Sequence, residues 1–230
     1  MLKEGIALYT GGKDSHYALV KALEAGIRIV KLVVVVSRNP DSWMFHTVNI
    51  RWALWHGDLI GVEAVALEVS GVKEEEVREL AEGLKLLLKE CGDVDYLITG
   101  AVRSLYQRKR VDSVAEELGL IHYSPLWGAD EASLLREEVS NLGVIVTAVQ
   151  AYGMGKGWLG RRITGMEVDE LIKLQGRHSV SPVGEGGEFE TFVVSSPLFR
   201  GHGLGIRKAS IMYDEFSWRG YYVIEDAAII

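Results

Sequence analysis

Only one cysteine, Cys91, occurs in the 230-residue chain. That excludes an intrachain disulfide, a C-x-x-C redox pair, a cysteine-ligated zinc site and an iron–sulfur cluster. Cys91 falls on the apolar face of an expected helix, with Val77, Leu80, Ala81, Leu84, Leu87 and Leu88, and reads as a buried core thiol rather than a nucleophile. Long apolar runs are also missing. The longest, Leu32 to Val36, is strand-sized, so no membrane partner is expected. The start of the chain has no charged stretch followed by an apolar one, so no secretory signal is read and a cytoplasmic location is expected. Cations are in deficit, with 25 Lys and Arg against 32 Asp and Glu, a net charge of −7. This disfavours a nucleic-acid partner, because phosphate contacts need clustered Lys and Arg. The best local basic patch is Arg103, Arg108, Lys109 and Arg110.

What is present is an alternation of strands and helices. Gly5–Tyr9, Ile29–Val36, Val62–Val69, Tyr96–Thr99, Ile121–Tyr123 and Val144–Ala151 read as strands. Between them, Lys13–Ala25, Asn49–Ile60, Glu74–Cys91, Leu105–Leu118 and Glu131–Asn141 read as helices, several stopped by a glycine. The β-branched run Ile29–Val36 has no polar alternation, the mark of a strand covered on both faces. The pattern predicts an α/β fold with a parallel sheet and helices on both faces over 1–151. From about residue 152 the texture becomes glycine-rich, with a short helix Val168–Leu174, a strand Phe189–Val194 and two strands within Ile206–Ile224. A smaller α+β region, 152–230, is expected to bind substrate. The sequence leaves the oligomeric state open, a homo-oligomer included.

The first strand runs into Thr10-Gly11-Gly12-Lys13-Asp14-Ser15 and then a helix. A strand, a glycine turn and a helix N-terminus form an anion site, because backbone N–H groups and the positive end of the helix dipole converge there. Gly11 and Gly12 let phosphate approach the main chain, Thr10 and Ser15 offer hydroxyls, and Lys13 adds charge. Asp14 opposes phosphate unless it holds a metal or orients a donor. The loop is not a Walker A sequence, since Lys13 is followed by Asp14. Lys13 and Asp14 are expected to face phosphate or metal rather than the core.

The loop resembles the Ser-Gly-Gly-x-Asp-Ser signature of the PP-loop ATP pyrophosphatases, which have a HUP-like fold, with threonine in place of the first serine. Gly100 to Arg108, Arg110-Val111, Ser124-Pro125-Leu126-Trp127, Met44-Phe45-His46 and Gly184 to Val193 are similar to the diphthine–ammonia ligase family. The resemblance covers essentially the whole chain. It implies adenylation of the carboxylate of diphthine on elongation factor 2, then amidation by ammonia to diphthamide, with ATP leaving as AMP and pyrophosphate. It also implies ATP and Mg²⁺ as cofactors. Thr10 to Ser15 with Gly100 and Ala101 would then hold the nucleotide, and Asp14 the metal. Lys13, Asp14 and Glu188 would be catalytic. His46, Arg103, Tyr106, Gln107, Arg108, Glu185, Gly187, Glu188, Glu190 and Thr191 would meet the substrate.

Simpler readings stand beside these. Glu185, Glu188 and Glu190 also fit a solvated turn entering a strand, and Lys109 a helix surface. His46 and His178 have no partner at ligand spacing, so a histidine metal site is not expected. Trp127 and Trp158 fit either core or the wall of a site. Two other functions fit the loop: a PP-loop tRNA-modifying enzyme and an ATP-binding module without turnover. Sulfur-transfer versions of the former need cysteines absent here, and lysidine-forming ones usually carry a basic extension. Glutamine-dependent transfer is disfavoured, because Cys91 is expected to be buried in a helix and no separate glutaminase domain fits.

Overall fold

The computed structural model describes residues 3–39 and 48–230. The chain divides into two compact units, one of Met1–Thr10 with Asp14–Trp127 and one of Gly11–Lys13 with Gly128–Ile230.

The first unit contains β1 (Lys3–Leu8), α1 (Lys13–Glu24, from its second residue), β2 (Ile27–Ser37), α2 (Trp55–Ile60), β3 (Ala64–Val69), α3 (Glu75–Cys91), β4 (Tyr96–Ile98), α4 (Leu105–Leu118) and β5 (Ile121–Tyr123). Its five strands are all parallel, in the order β3-β2-β1-β4-β5. One face of the sheet, carrying Ile6, Val33, Val35, Leu67, Val69 and Leu97, packs against Leu80, Ala81 and Leu84 of α3 and Val111, Val114 and Ala115 of α4. Each such Val, Leu or Ile side chain contributes about 1.5–3 kcal/mol on full burial. The residues alternating with these, Ala7, Leu32, Val34 and Ile98, are buried too, as are Ala18, Leu19 and Ala22 of α1. The β-branched run of β2 is therefore covered on both faces, as its composition predicts. Cys91 is only half-buried at the end of α3, because it packs at the margin of this core. The expected helix Asn49–Ile60 is split into a 3-10 turn, Ile50–Leu54, and α2.

The second unit contains α5 (Glu131–Asn141), β6 (Gly143–Val149), β7 (Arg162–Ile163), α6 (Gly165–His178), β8 (Phe189–Ser195), β9 (Leu204–Asp214) and β10 (Arg219–Ile229). Its sheet runs β7-β6-β10-β9, with β8 also paired to β6, and every pairing is antiparallel. This corrects two expectations. The apolar run at Val144 extends no parallel sheet but forms the fully buried centre of the second one. The division accordingly falls at Trp127/Gly128 and not at 151/152. A continuous β-branched strand looks the same from sequence in the middle of either sheet type. Helix α6 is twice the expected length, because Glu167 accepts the Thr164 N–H at 2.8 Å and starts it early.

No helix among the described residues is long and apolar enough to cross a membrane.

Candidate active site

The strand order reverses between β1 and β4: from β1 the chain moves outward to β2 and β3, then returns to β4 and β5 on the other side. Open parallel sheets bind ligands beyond the carboxyl ends of the strands at such a switch point. Here those ends lead into Thr10–Ser15 and Thr99–Ser104, two of the segments singled out by sequence.

The loop is closed by its own hydroxyls. The Thr10 N–H donates to Ser15 Oγ at 3.2 Å, and the two side-chain oxygens lie 3.0 Å apart. Gly11 has φ 76°, a conformation that favours glycine. Gly100 meets the loop from β4. A Cβ built on it would lie 2.5 Å from the Asp14 carbonyl carbon and the Ser15 nitrogen, both main-chain atoms. Only glycine therefore lets the first turn of α1 press against the end of β4. The first N–H groups of a helix have no acceptor within it. In α1, the Lys13 N–H is taken by Thr191 Oγ1 at 3.2 Å, and the Gly11 carbonyl accepts from Val193 N at 2.9 Å. Strand β8 thus fixes the tripeptide Gly11–Lys13, with which it shares a unit.

Several side chains stand elsewhere than the sequence suggests. Lys13 does not face outward. Its side chain is fully buried, with Nζ 3.3 Å from Oε2 of the equally buried Glu138 on α5. A carboxylate on α5, 125 positions along the chain, leaves no local signal. Glu188 is a turn-holding group: Oε1 accepts from Ser181 N at 2.9 Å and Oε2 from Gly186 N at 2.8 Å. Both oxygens are engaged within 181–188, where Ser181 Oγ also accepts from Glu185 N and donates to Glu131. Gly187 has φ 80° in this turn, and Glu190 and Thr191, half-buried, follow on β8.

On α4, Ser104 caps the helix by accepting from Gln107 N at 3.3 Å. The Tyr106 ring packs against the α3–α4 core and lies 3.4 Å beneath the Arg110 guanidinium, which pairs with Glu74. Burial pushes the Tyr106 hydroxyl pKa up. Arg108 stacks 4.2 Å over the Trp127 ring and lies 3.7 Å from Asp112, so two segments of the family resemblance meet. Arg103 is exposed beside the half-buried Ala101. His46, with Met44 and Phe45, lies outside the described residues.

Two polar clusters, one of them wholly buried, were not anticipated. Tyr9 OH lies 2.7 Å from His16 Nδ1 and 2.6 Å from His56 Nδ1, all three side chains being enclosed. Tyr9 and His16 flank the loop on either side, and desolvation lowers the His16 pKa to about 3. At the end of β4, Thr99 Oγ1 lies 2.7 Å from His122 Nε2, whose Nδ1 lies 2.6 Å from Asp112 Oδ1. Position on adjacent parallel strands could have paired residue 99 with the 122–124 segment, but nothing local marks Asp112.

The loop asks for a phosphate ester and fits one. Its close-packed main chain and the α1 dipole suit an anion. Among the described residues no group of three or more His, Cys, Asp or Glu could hold a metal. A single carboxylate is enough for Mg²⁺ when phosphate oxygens and water supply the other ligands, and half-buried Asp14 would be that carboxylate.

The sequence matches the family of the diphthamide synthase N-terminal domain over residues 3–122, and that of the diphthamide synthase C-terminal domain over residues 130–230. Human diphthine–ammonia ligase is 35% identical over 214 residues, spanning 84% of this chain and 79% of that protein. The Danio rerio protein of the same name is 33% identical over 214 residues, 85% of this chain and 83% of its own. The Schizosaccharomyces pombe one is 30% identical over 85% of this chain but only 35% of its own length, so the chain spans about a third of that relative. A solved structure described as a predicted subunit of tRNA methyltransferase from Methanocaldococcus jannaschii has a TM-score of 0.47 and 13% identity, covering 85% of this chain and 98% of that one, too loose a likeness to carry an argument. With both parts matched in order, the chain belongs to the diphthamide synthase family.

Proposed function

We propose that the chain adenylates the carboxylate of diphthine on elongation factor 2 and amidates it with ammonia, converting ATP to AMP and pyrophosphate. The observation that carries this reading is the phosphate loop at the switch point, where Gly100 is pressed against the main chain of Asp14 and Ser15. Family membership supplies the substrate class, because the human and Danio rerio relatives are named diphthine–ammonia ligase.

A carboxylate is a poor acyl donor until its oxygen becomes a good leaving group. Attack by that oxygen on the α-phosphate releases pyrophosphate, and AMP is then the leaving group for nitrogen. Negative charge builds on the departing phosphates, and the α1 N-terminus with the Thr10 and Ser15 hydroxyls opposes it without reorganising. Mg²⁺ at Asp14 would neutralise part of the same charge. Lys13, paired with the buried Glu138, supports the loop from within, and its ammonium adds positive charge beside the phosphate site. Glu188 holds the 181–188 turn, which leaves Glu185 and Glu190 as the carboxylates of that segment for the substrate's fixed cation. Arg103, Gln107, Arg108 and His46 remain assigned to the substrate side.

The test is incubation with ATP, Mg²⁺, ammonium and elongation factor 2 carrying diphthine. AMP and pyrophosphate should appear in equal amounts, and the factor's mass should change from carboxylate to amide. Release of ADP would replace the adenylate with an acyl-phosphate route. Turnover dependent on tRNA rather than the factor would sink the ligase reading.

A further inference from the structure

Amidation through an adenylate requires the attacking nitrogen to lose a proton, and the loop's one carboxylate, Asp14, is taken up by Mg²⁺ in the ligase reading. We infer that Thr99, His122 and Asp112 form the relay that removes it, an inference that rests on the ligase reading above. The three side chains are in line: Asp112 Oδ1 lies 2.6 Å from His122 Nδ1, and His122 Nε2 lies 2.7 Å from Thr99 Oγ1. His122 is nearly enclosed, whereas Asp112 is half exposed. Asp112 is held in turn by Arg108, which is stacked on Trp127.

The carboxylate fixes the proton arrangement. Asp112 accepts from Nδ1–H, so Nε2 carries a lone pair and the Thr99 hydroxyl donates to it, the geometry of a hydroxyl activated by a base and an orienting acid. Thr99 directly precedes Gly100, the residue pressed against Asp14 and Ser15. The relay thus begins one residue from the contact that positions the phosphate loop. Ser124 Oγ donates to the Ala101 carbonyl at 3.1 Å and lies 3.5 Å from Thr99 Oγ1, much farther than His122 Nε2.

Ammonia attacks the acyl carbon, the C–N bond forms and the C–O bond to AMP breaks. One proton passes from nitrogen to Thr99 Oγ1 as the Thr99 proton passes to His122 Nε2. The imidazolium, stabilised by Asp112, then gives its Nε2 proton back through Thr99 Oγ1 to the departing AMP or to water, which restores the starting tautomer. Thr99 is the group that meets the nitrogen, and His122 and Asp112 position and charge it.

A mere strap joining β4, β5 and α4 would affect both half-reactions alike, so the test separates them. Diphthine-dependent exchange of labelled pyrophosphate into ATP reports adenylation, and amide formation with ammonium chloride reports nitrogen attack. His122→Gln and Thr99→Val should keep exchange within about threefold of wild type while kcat/KM for ammonium falls by about a hundredfold, the scale of one general base. Thr99→Ser should restore ammonium use. Hydroxylamine, largely unprotonated at neutral pH, should narrow the gap between His122→Gln and wild type. Parallel loss of exchange and amidation, or wild-type ammonium kinetics in Thr99→Val, would overturn the relay. Wild-type protein without diphthine-dependent exchange would remove the ligase reading itself and the relay with it.

Discussion

Lys13 Nζ and Glu138 Oε2 lie 3.3 Å apart with both side chains wholly buried. Removing one partner of such a pair strands the other charge in the interior, at a cost of about 3–5 kcal/mol. Lys13→Ala should therefore lower the unfolding free energy by that order. The double variant Lys13→Met/Glu138→Leu should recover most of it, because no charge is left behind. Urea unfolding of the three chains measures this. A Lys13→Ala chain as stable as wild type would return Lys13 to the phosphate-facing role read from sequence.

Gly100→Ala places a methyl group against immobile backbone, 2.5 Å from Asp14 and Ser15. Either β4 or the first turn of α1 must shift. Overpacking of this kind costs about 1–3 kcal/mol. ATP affinity, measured by calorimetry, should fall by about tenfold or more, because the helix N-terminus moves away from where phosphate binds. Unchanged affinity would separate Gly100 from the nucleotide.

Glu188→Gln replaces one of two accepting oxygens with an NH₂ group, which then points at a backbone N–H. The 181–188 turn should loosen at a cost of about 1–3 kcal/mol, visible as faster amide exchange at Ser181 and Gly186. Amidation lost with those amides still protected would show that Glu188 acts on substrate.

The pH dependence of stability should carry the mark of His16. Burial lowers its pKa from 6.5 to about 3. Between those values the unfolded chain binds a proton that the folded chain excludes, so the unfolded state gains as pH falls. The His16 contribution is whole above about pH 6.5 and declines toward pH 3, by at most about 1.4 kcal/mol per pH unit. His16→Gln should flatten the urea midpoint between pH 7 and pH 4. An equal slope in that variant would assign the acid sensitivity to other groups.

The fold was largely legible because strands and helices announce themselves through local periodicity. The α3 stripe from Val77 to Cys91 and the run of β2 each need only their own residues to be read. The loop was legible because Thr10 to Ser15 are consecutive. Polar pairs across the chain were not. Glu138 gives no hint that it meets Lys13, nor Thr191 that it accepts the Lys13 N–H, since one carboxylate or hydroxyl on a helix or strand suits solvent equally well. Likewise, Asp112 reads as one more charge on α4 until β5 brings His122 beside it. The sheet to which β6 belongs was hidden for a different reason: burial on both sides erases the alternation that distinguishes an antiparallel strand.

The Tyr9 hydroxyl has one hydrogen and two imidazole nitrogens within 2.7 Å. It can donate to only one of them and must accept from the other. The two histidines are chemically alike in sequence and cannot be alike in the folded chain: one carries its ring proton on Nδ1, the other on Nε2. Nitrogen-15 spectra of the neutral protein should resolve one ring of each tautomer. Exchanging the two would require both imidazoles and the phenol to move their protons together. The handedness of that arrangement is a property of the cluster, and neither histidine can be replaced by a residue that only donates or only accepts without fixing it one way.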